Sequence, residues 1–388
     1  MALIGQVNTT EAHHQNAARG AQHPIAIGND NTIWCAYGNW DNPDNGVLAS
    51  YSIDGGLTWT EEVPTTERCA SWAGISLAID SNNVPHIIYE TYDAGPGIQI
   101  IRCVSRIGGV WGAPETVYNT GFAAGVWMVK AQIDSLDNIH VIYERNEVNW
   151  IVGVPGGPWS VPEVVDAASF RPDLAINNND EPVVVYVNAV GGIDIKYRTG
   201  GAWTAADNVS PVLGGGGTAF PILQIDSVDD YHVAWSFEEA LAPWNYEVYY
   251  KKKETGVWLA LQELDTGVDE WHTELGIDDE DNAYVIFQLD SGGADEAVYY
   301  RKITNGIVLG VETVIDATIL HPNGESSVFG FLYHKYPARG VLAATFQPVV
   351  VLLDEVPIGF PYANVNFYAA SAIVFLPTVQ TLPATGVV

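Results

Sequence analysis

Positive charge is what this chain has least of. Among 388 residues, 16 Lys and Arg face 47 Asp and Glu, a formal net charge of −31. A field of that sign repels phosphate backbones and anionic membranes, which sets nucleic acid aside as a partner. Charge of either sign is scarce at 16%, against roughly 25% in ordinary soluble proteins. The surface must therefore rely on Asn, Thr, Ser, Gly and backbone groups. No stretch approaches the ~20 apolar residues of a membrane span. Cysteine is limited to Cys35, Cys69 and Cys103, an odd number in no zinc-ligand spacing. Cys35 and Cys103 lie in apolar strand patterns and read as buried, inert thiols rather than disulfide partners. The opening MALIGQVNTTEAHHQ has neither the basic nor the apolar region of a secretory signal.

What the chain does have is a repeat. Apolar residues make up 47%, enough for a large core, and they recur in register. The copies read IAIGNDNTIWCAY (25–37), LAIDSNNVPHIIY (77–89), AQIDSLDNIHVIY (131–143), LAINNNDEPVVVY (174–186), LQIDSVDDYHVAW (223–235) and LGIDDEDNAYVIF (275–287). Each has an anchor (Gly28, Asp80, Asp134, Asn177, Asp226 or Asp278) in a polar turn, and an aromatic nine residues later: Tyr37, Tyr89, Tyr143, Tyr186, Trp235 or Phe287. Period-2 alternation around a turn rich in Asp, Asn and Ser predicts a β-hairpin, its register pinned by the anchor carboxylate or amide. A second hairpin follows in most copies and ends near a Trp: Trp59, Trp111, Trp159, Trp203 or Trp258. Two hairpins per period make a four-stranded antiparallel sheet, which buries both faces only by stacking radially on its neighbours. The expected fold is all-β, a single β-propeller of four-stranded blades. Residues 23–316 form six clear blades and 317–388 a degenerate seventh plus a tail. The segment 1–22 is expected to lend the closing strand; six blades with an appended segment is the alternative.

The second hairpin of the first copy carries Ser52, Asp54, Gly56, Thr58 and Trp59, in the order S-x-D-x-G-x-T-W. This matches the Asp-box of sialidase-like, BNR-repeat propellers, and the wider repeat resembles non-catalytic members of that family over about residues 23–316. The resemblance implies that the Asp-box fastens the blade on the face opposite the ligand site. It also implies that an active sialidase needs an arginine triad, a Tyr–Glu pair and an acid Asp. Arg68, Arg145 and Arg171 fall in loops expected to share a face. The family's Arg-Ile-Pro motif is missing, however, since the matching stretch reads Gln22-His23-Pro24-Ile25. His86, His140 and His232 share the position six after the anchor and read as architecture rather than metal ligands.

Aromatics fall six to eight residues before the anchor in five copies: Trp72, Trp127, Phe170, Phe220 and Trp271. By symmetry these surround the mouth of the central channel, either as a platform for sugar C–H groups or protein anchors or as a hydrophobic plug. Trp40 and Trp244 lie in loops on the same side. No catalytic residue is singled out; Glu90, Glu144 and Glu238 are candidate carboxylates, but no spacing selects a pair. No cofactor or metal is expected, with Ca²⁺ left open only by the abundance of loop acids. The reading at this stage is a non-catalytic recognition or structural propeller with glycan or protein partners, placed on the surface or tail of a phage or virus particle or another extracellular assembly. A homo-oligomer is left open. The alternatives are a sialidase-type glycoside hydrolase and a free-standing lectin.

Overall fold

The computed structural model describes residues 3–6, 12–13, 24–38, 46–56, 58–67, 69, 74–93, 98–119, 121, 126–211, 220–238, 246–264, 269–278, 280–290, 297–304, 306–316, 326–332, 349–356 and 364–371. Among these there is no helix, and the strands form seven antiparallel sheets of four or five strands.

Sheet 1 is Ile25–Ile27, Ile33–Gly38, Val47–Ser52 and Thr60–Thr65. Sheet 2 is Ile75–Ile79, Pro85–Asp93, Ile98–Ile107 and Glu115–Asn119. Sheet 3 is Trp127–Ile133, Ile139–Glu144, Glu147–Gly153 and Glu163–Ala167. Sheet 4 is Phe170–Ile176, Pro182–Val187, Ile193–Thr199 and Asp207–Ser210. Sheet 5 is Phe220–Ile225, Tyr231–Glu238, Tyr246–Glu254 and Gln262–Glu263. Sheet 6 is Asp269–Ile277, Ala283–Asp290, Ala297–Thr304 and Ile307–Asp316. Sheet 7 is Ser326–Leu332, Val349–Val356 and Asn364–Ser371, with Leu3–Gln6 pairing onto the last of these.

The first strand of each sheet touches the first strand of the next, and Ser326–Leu332 touches both Asp269–Ile277 and Ile25–Ile27. The strands thus close a ring about one axis: a β-propeller. Each inner strand runs down to the anchor turn and the second strand returns to the opposite end. The turn at residues 145–146 therefore shares an end with the starts of the inner strands, while the Ser52–Trp59 turn lies with the anchors.

The repeated aromatics make the walls. Tyr37, Tyr89, Tyr143, Tyr186, Trp235 and Phe287 are all buried. They pack in clusters that span neighbouring sheets; one holds Val183, Val185, Leu223, Val233 and Trp235. Two of the tyrosine hydroxyls reach towards the preceding sheet: Tyr89 Oη donates to Glu67 at 2.8 Å and Tyr186 Oη to Asp166 at 3.1 Å, whereas Tyr37 Oη donates to Glu61 of its own sheet at 2.7 Å.

The anchor turns do more than close hairpins. Asp80 Oδ1 accepts the amides of Asn82 and Val84, and Asp134 Oδ1 those of Leu136 and Asn138. Three residues after each anchor the chain turns left-handed, at Asn31, Asn83, Asp137, Asp180, Asp229 and Asp281, where Asn and Asp are the non-glycine residues that tolerate positive φ. Four of those Asp carboxylates clasp the preceding sheet. Asp137 accepts Ser81 N at 2.8 Å and Ser81 Oγ at 2.6 Å; Asp180 accepts Ser135 N and Oγ at the same distances. Asp229 accepts Asn178 N, and Asp281 accepts Ser227 N and Oγ. One turn sequence both ends a hairpin and ties two sheets.

The histidines belong to the same networks. His140 Nε2 meets Asp134 at 3.1 Å and His232 Nε2 meets Asp226 at 3.1 Å, with Tyr284 Oη taking the equivalent place on Asp278 at 2.9 Å. Burial pulls the His86 and His140 imidazoles below their usual range. Sheets 2 and 3 approach so closely that a Cβ on Gly74 would lie 2.1 Å from the Val129 carbonyl oxygen. The three cysteines are free and buried, and burial pushes the Cys103 thiol up to about 12; all are poor nucleophiles.

Candidate functional site at the axial mouth

Three inner strands begin with the same irregularity. Trp127 pairs with Glu144 and Lys130 with Ile142; Phe170 pairs with Val187 and Asp173 with Val185; Trp271 pairs with Gln288 and Glu274 with Ile286. Each strand holds one residue more than its partner over that stretch, a β-bulge, the device that re-aims side chains beside sites. Met128 and Arg171, which follow Trp127 and Phe170, take positive φ of 56° and 53°. For residues with a full side chain that conformation is held against a local cost, and it marks positions worth a functional question.

Arg171 is the best-defined part of the mouth. Its amide nitrogen donates to Glu144 Oε2 at 2.9 Å, tying sheet 4 to sheet 3. Its guanidinium carbon lies 4.2 Å from the Phe220 ring centroid and 5.6 Å from that of Phe170. An arginine over one aromatic and beside another, all three half-buried, builds a flat, amphipathic wall with N–H donors along its edge. Burial raises the Glu144 carboxyl above its usual range, against the pull of the Arg171 amide and charge. Glu90 occupies the equivalent position in sheet 2, ten residues after its anchor. It is 1% exposed, its Oε1 meets no donor among the described residues, and burial pushes its carboxyl well up.

Below the mouth, three inner strands carry buried charge at one repeat position. Four residues before their anchors stand Lys130, Asp173 and Glu274, 2%, 0% and 9% exposed. Lys130 Nζ lies 3.2 Å from Asp173 Oδ1, and Asp173 Oδ2 accepts the Leu223 amide of sheet 5 at 2.7 Å. Ser76, at the same position in sheet 2, accepts the Ala131 amide at 2.9 Å. Burial, with the Asp173 charge, raises the Glu274 carboxyl to about 8 against the opposing pull of Lys130. Sequence reasoning missed this cluster. Its signal was a charge four residues before the anchor in three strands, MVKAQI, RPDLAI and HTELGI.

Of the site residues expected from sequence, Phe170, Phe220 and Arg171 come together at the mouth. Arg145 lies farther out, at a turn, where its Nη1 donates to Tyr118 Oη at 3.4 Å. Trp127 and Trp271 begin inner strands, but their side chains lie outside the described residues. So do Trp40, Trp72, Trp244 and Arg68 altogether. At the other end, Asp54 accepts Thr58 N at 2.9 Å and Thr58 Oγ1 at 2.6 Å. Ser52 Oγ accepts Gly56 N at 2.8 Å, and Trp59 Nε1 donates to the Gly56 carbonyl at 2.9 Å. Gly55 and Gly56 supply the positive φ this turn needs. Among the described residues no group of three His, Cys, Asp or Glu is placed to hold a metal ion.

No protein-family model matches the chain, and no curated protein matches it. Solved structures do resemble it. The structure of a polysaccharide lyase described as an ulvan lyase aligns with a TM-score of 0.66 at 11% identity, covering 96% of each chain. An ulvan lyase bound to -[GlcA(1-4)Rha3S]- aligns at 0.61 and 10% identity, over 93% of this chain and 96% of that one. The polysaccharide lyase Uly1 aligns at 0.58 and 10% identity, over 96% of this chain and all of its own (100%). At such identities the likeness is one of fold. It agrees with the propeller expected from the repeat.

Proposed function

We propose that this chain recognises a polysaccharide at the axial mouth, on the face away from the Ser52–Trp59 turn. The observation that carries the reading is the Arg171 guanidinium held 4.2 Å over Phe220 and bracketed by Phe170. Sugar rings present alternating C–H faces and hydroxyl edges, and an aromatic–arginine wall offers a partner to each. The buried charges of Lys130, Asp173 and Glu274 below the mouth favour a chain lying across the mouth over one threading past them, since uncompensated polar contact there would be costly. The named neighbours lend support, being polysaccharide lyases, one with an oligosaccharide bound. A role in a phage or virus particle is compatible with glycan binding. It carries no observation of its own among the described residues, so the reading rests on the saccharide.

Calorimetric titration against a panel of soluble oligosaccharides tests this. Phe220→Ala and Arg171→Ala are each expected to weaken binding of any saccharide the protein takes by about tenfold or more, in line with aromatic and arginine anchors, measured at a temperature where an unfolding scan shows each variant still folded. Affinities equal to the parent protein's in both variants would overturn the reading. The same mixtures, assayed for new reducing ends, separate a glycan-cleaving enzyme from a lectin. A carboxyl pushed upward by burial, as at Glu90, is the kind of group the enzyme would use.

A further inference from the structure

In a chain this acidic, nearly every cation should be spoken for. Arg106 reaches Glu62 at 2.7 Å, Arg198 reaches Glu163 at 3.2 Å, Lys196 reaches Asp166 at 2.9 Å and Lys253 reaches Asp207 at 2.6 Å. Lys251 and Arg301 bond to the carbonyls of Val209 and Leu264. Arg145 does neither: among the described residues its guanidinium meets no carboxylate and no backbone carbonyl, only the Tyr118 hydroxyl at 3.4 Å. Glu144, beside it in sequence, directs its carboxylate to the Arg171 amide.

The residue is held in place all the same. Arg145 N donates to the Glu147 carbonyl at 2.8 Å, and Asn146 between them takes a φ of 58°, so the turn is tight. Tyr118 stacks on the buried Tyr143 with ring centroids 5.4 Å apart, giving the guanidinium a rigid wall. Arg145 itself is half-buried. A partly desolvated guanidinium on an ordered turn, with no acid on it among the described residues and donors left beyond the Nη1 that meets Tyr118, suits an oxyanion, since its planar donors match carboxylate and sulfate oxygens two at a time. The net charge of −31 opposes the approach of any polyanion, as it does for nucleic acid, so an acid group can be held here only by contact at Arg145, where charges beyond about 8 Å are screened at physiological salt.

We propose that Arg145 is an oxyanion subsite for the glycan, placed outward from the mouth over the gap between sheets 2 and 3, and that the preferred polysaccharide carries carboxylate or sulfate groups. The proposal rests on the glycan reading of the mouth and names its substrate class. It differs from a clasp of several arginines around one carboxylate: Arg145 stands on the Tyr118–Tyr143 wall, and the acid group it reads is a substituent of a sugar beyond the one at Phe220.

The test uses the full chain and three probes of equal length: hexamers of galacturonic acid, of a sulfated galactan and of a neutral glucan, each titrated by calorimetry. The parent protein is expected to bind at least one acidic hexamer about tenfold tighter than the neutral one, and the preferred hexamer tells carboxylate from sulfate. Arg145→Ala is expected to lose about that tenfold for the acidic hexamer and nothing for the neutral one. Arg145→Lys, which keeps the charge without the fork, is expected to lose an intermediate share. Equal affinity of parent and Arg145→Ala for the acidic hexamer overturns the proposal, as does equal parent affinity for acidic and neutral probes. If Phe220→Ala abolishes binding while Arg145→Ala changes nothing, the mouth reading stands and this inference alone falls. If the parent binds no hexamer, both fall.

Discussion

Glu274 is buried among groups that decide its proton. Burial and the Asp173 carboxylate raise it to about 8, whereas an unfolded glutamate titrates near 4.3. The folded state therefore holds its proton over a window in which the unfolded state has released it. Stability from this group is complete below about pH 4.3 and is lost as pH rises towards 8, at up to about 1.4 kcal/mol per pH unit. Glu90, raised by burial alone, acts with the same sign. His86 and His140, lowered by burial, act with the opposite sign, so the Glu274 contribution is read as the difference between the parent protein and Glu274→Gln in denaturant melts between pH 5 and pH 8. Glu274→Gln, which cannot ionise, should lose less stability than the parent protein as pH rises across that window. Equal pH dependence of the two proteins would mean that Glu274 does not carry the proposed linkage.

Between sheets, the unit of stabilisation is the anchor turn rather than any single strand. Asp180 ends the hairpin of sheet 4 with a φ of 60° and binds both the amide and the hydroxyl of Ser135 in sheet 3. Asp180→Ala deletes both bonds and puts alanine where φ is positive. A loss of about 1–3 kcal/mol is expected, as for other charge-assisted bonds to backbone, or roughly 2–4 °C per kcal/mol for a chain of this size. Asp180→Asn keeps an acceptor and the tolerance for that φ, and should recover most of it. A melting temperature for Asp180→Ala within 1 °C of the parent, roughly the noise of such a comparison, would show the contact to be incidental. The histidine six after the anchor fits the same logic: in His140 and His232 the imidazole completes the anchor carboxylate's bonds.

For the molecule as a whole, the net charge of −31 is a cost the ring has to carry. Like charges repel across a closed body, and added salt screens them within about 10 Å at 0.1 M. The melting temperature is therefore expected to rise when sodium chloride goes from about 0.05 to about 0.5 M, a range that shortens the screening length severalfold. A fall would indicate that ion pairs such as Arg106–Glu62 and Lys253–Asp207 outweigh the general repulsion. Against the same field Arg145 and Arg171 are local exceptions, so the affinity proposed for a glycan there would have to come from contacts at those residues and not from long-range attraction.

The hairpins, their register and their stacking could be read from the chain alone, because each depends on residues a few positions apart. Period-2 alternation set the strands, Asp or Asn with Ser set the turns, and the aromatic nine after the anchor set the wall. The clasp from Asp180 to Ser135 was not legible, since it joins one copy to another through a positive φ that no spacing declares. The cluster of Lys130, Asp173 and Glu274 was visible as three charges at one repeat position, yet its meaning needed the axis: residues 43 and 101 positions apart, from 173 − 130 and 274 − 173, meet only when the ring brings their strands together. The same holds for Arg171 over Phe220 and for the unclaimed guanidinium of Arg145. Local order is written in neighbours along the chain, whereas a site is made of side chains that share space without sharing sequence, and ring closure is what brings them into reach.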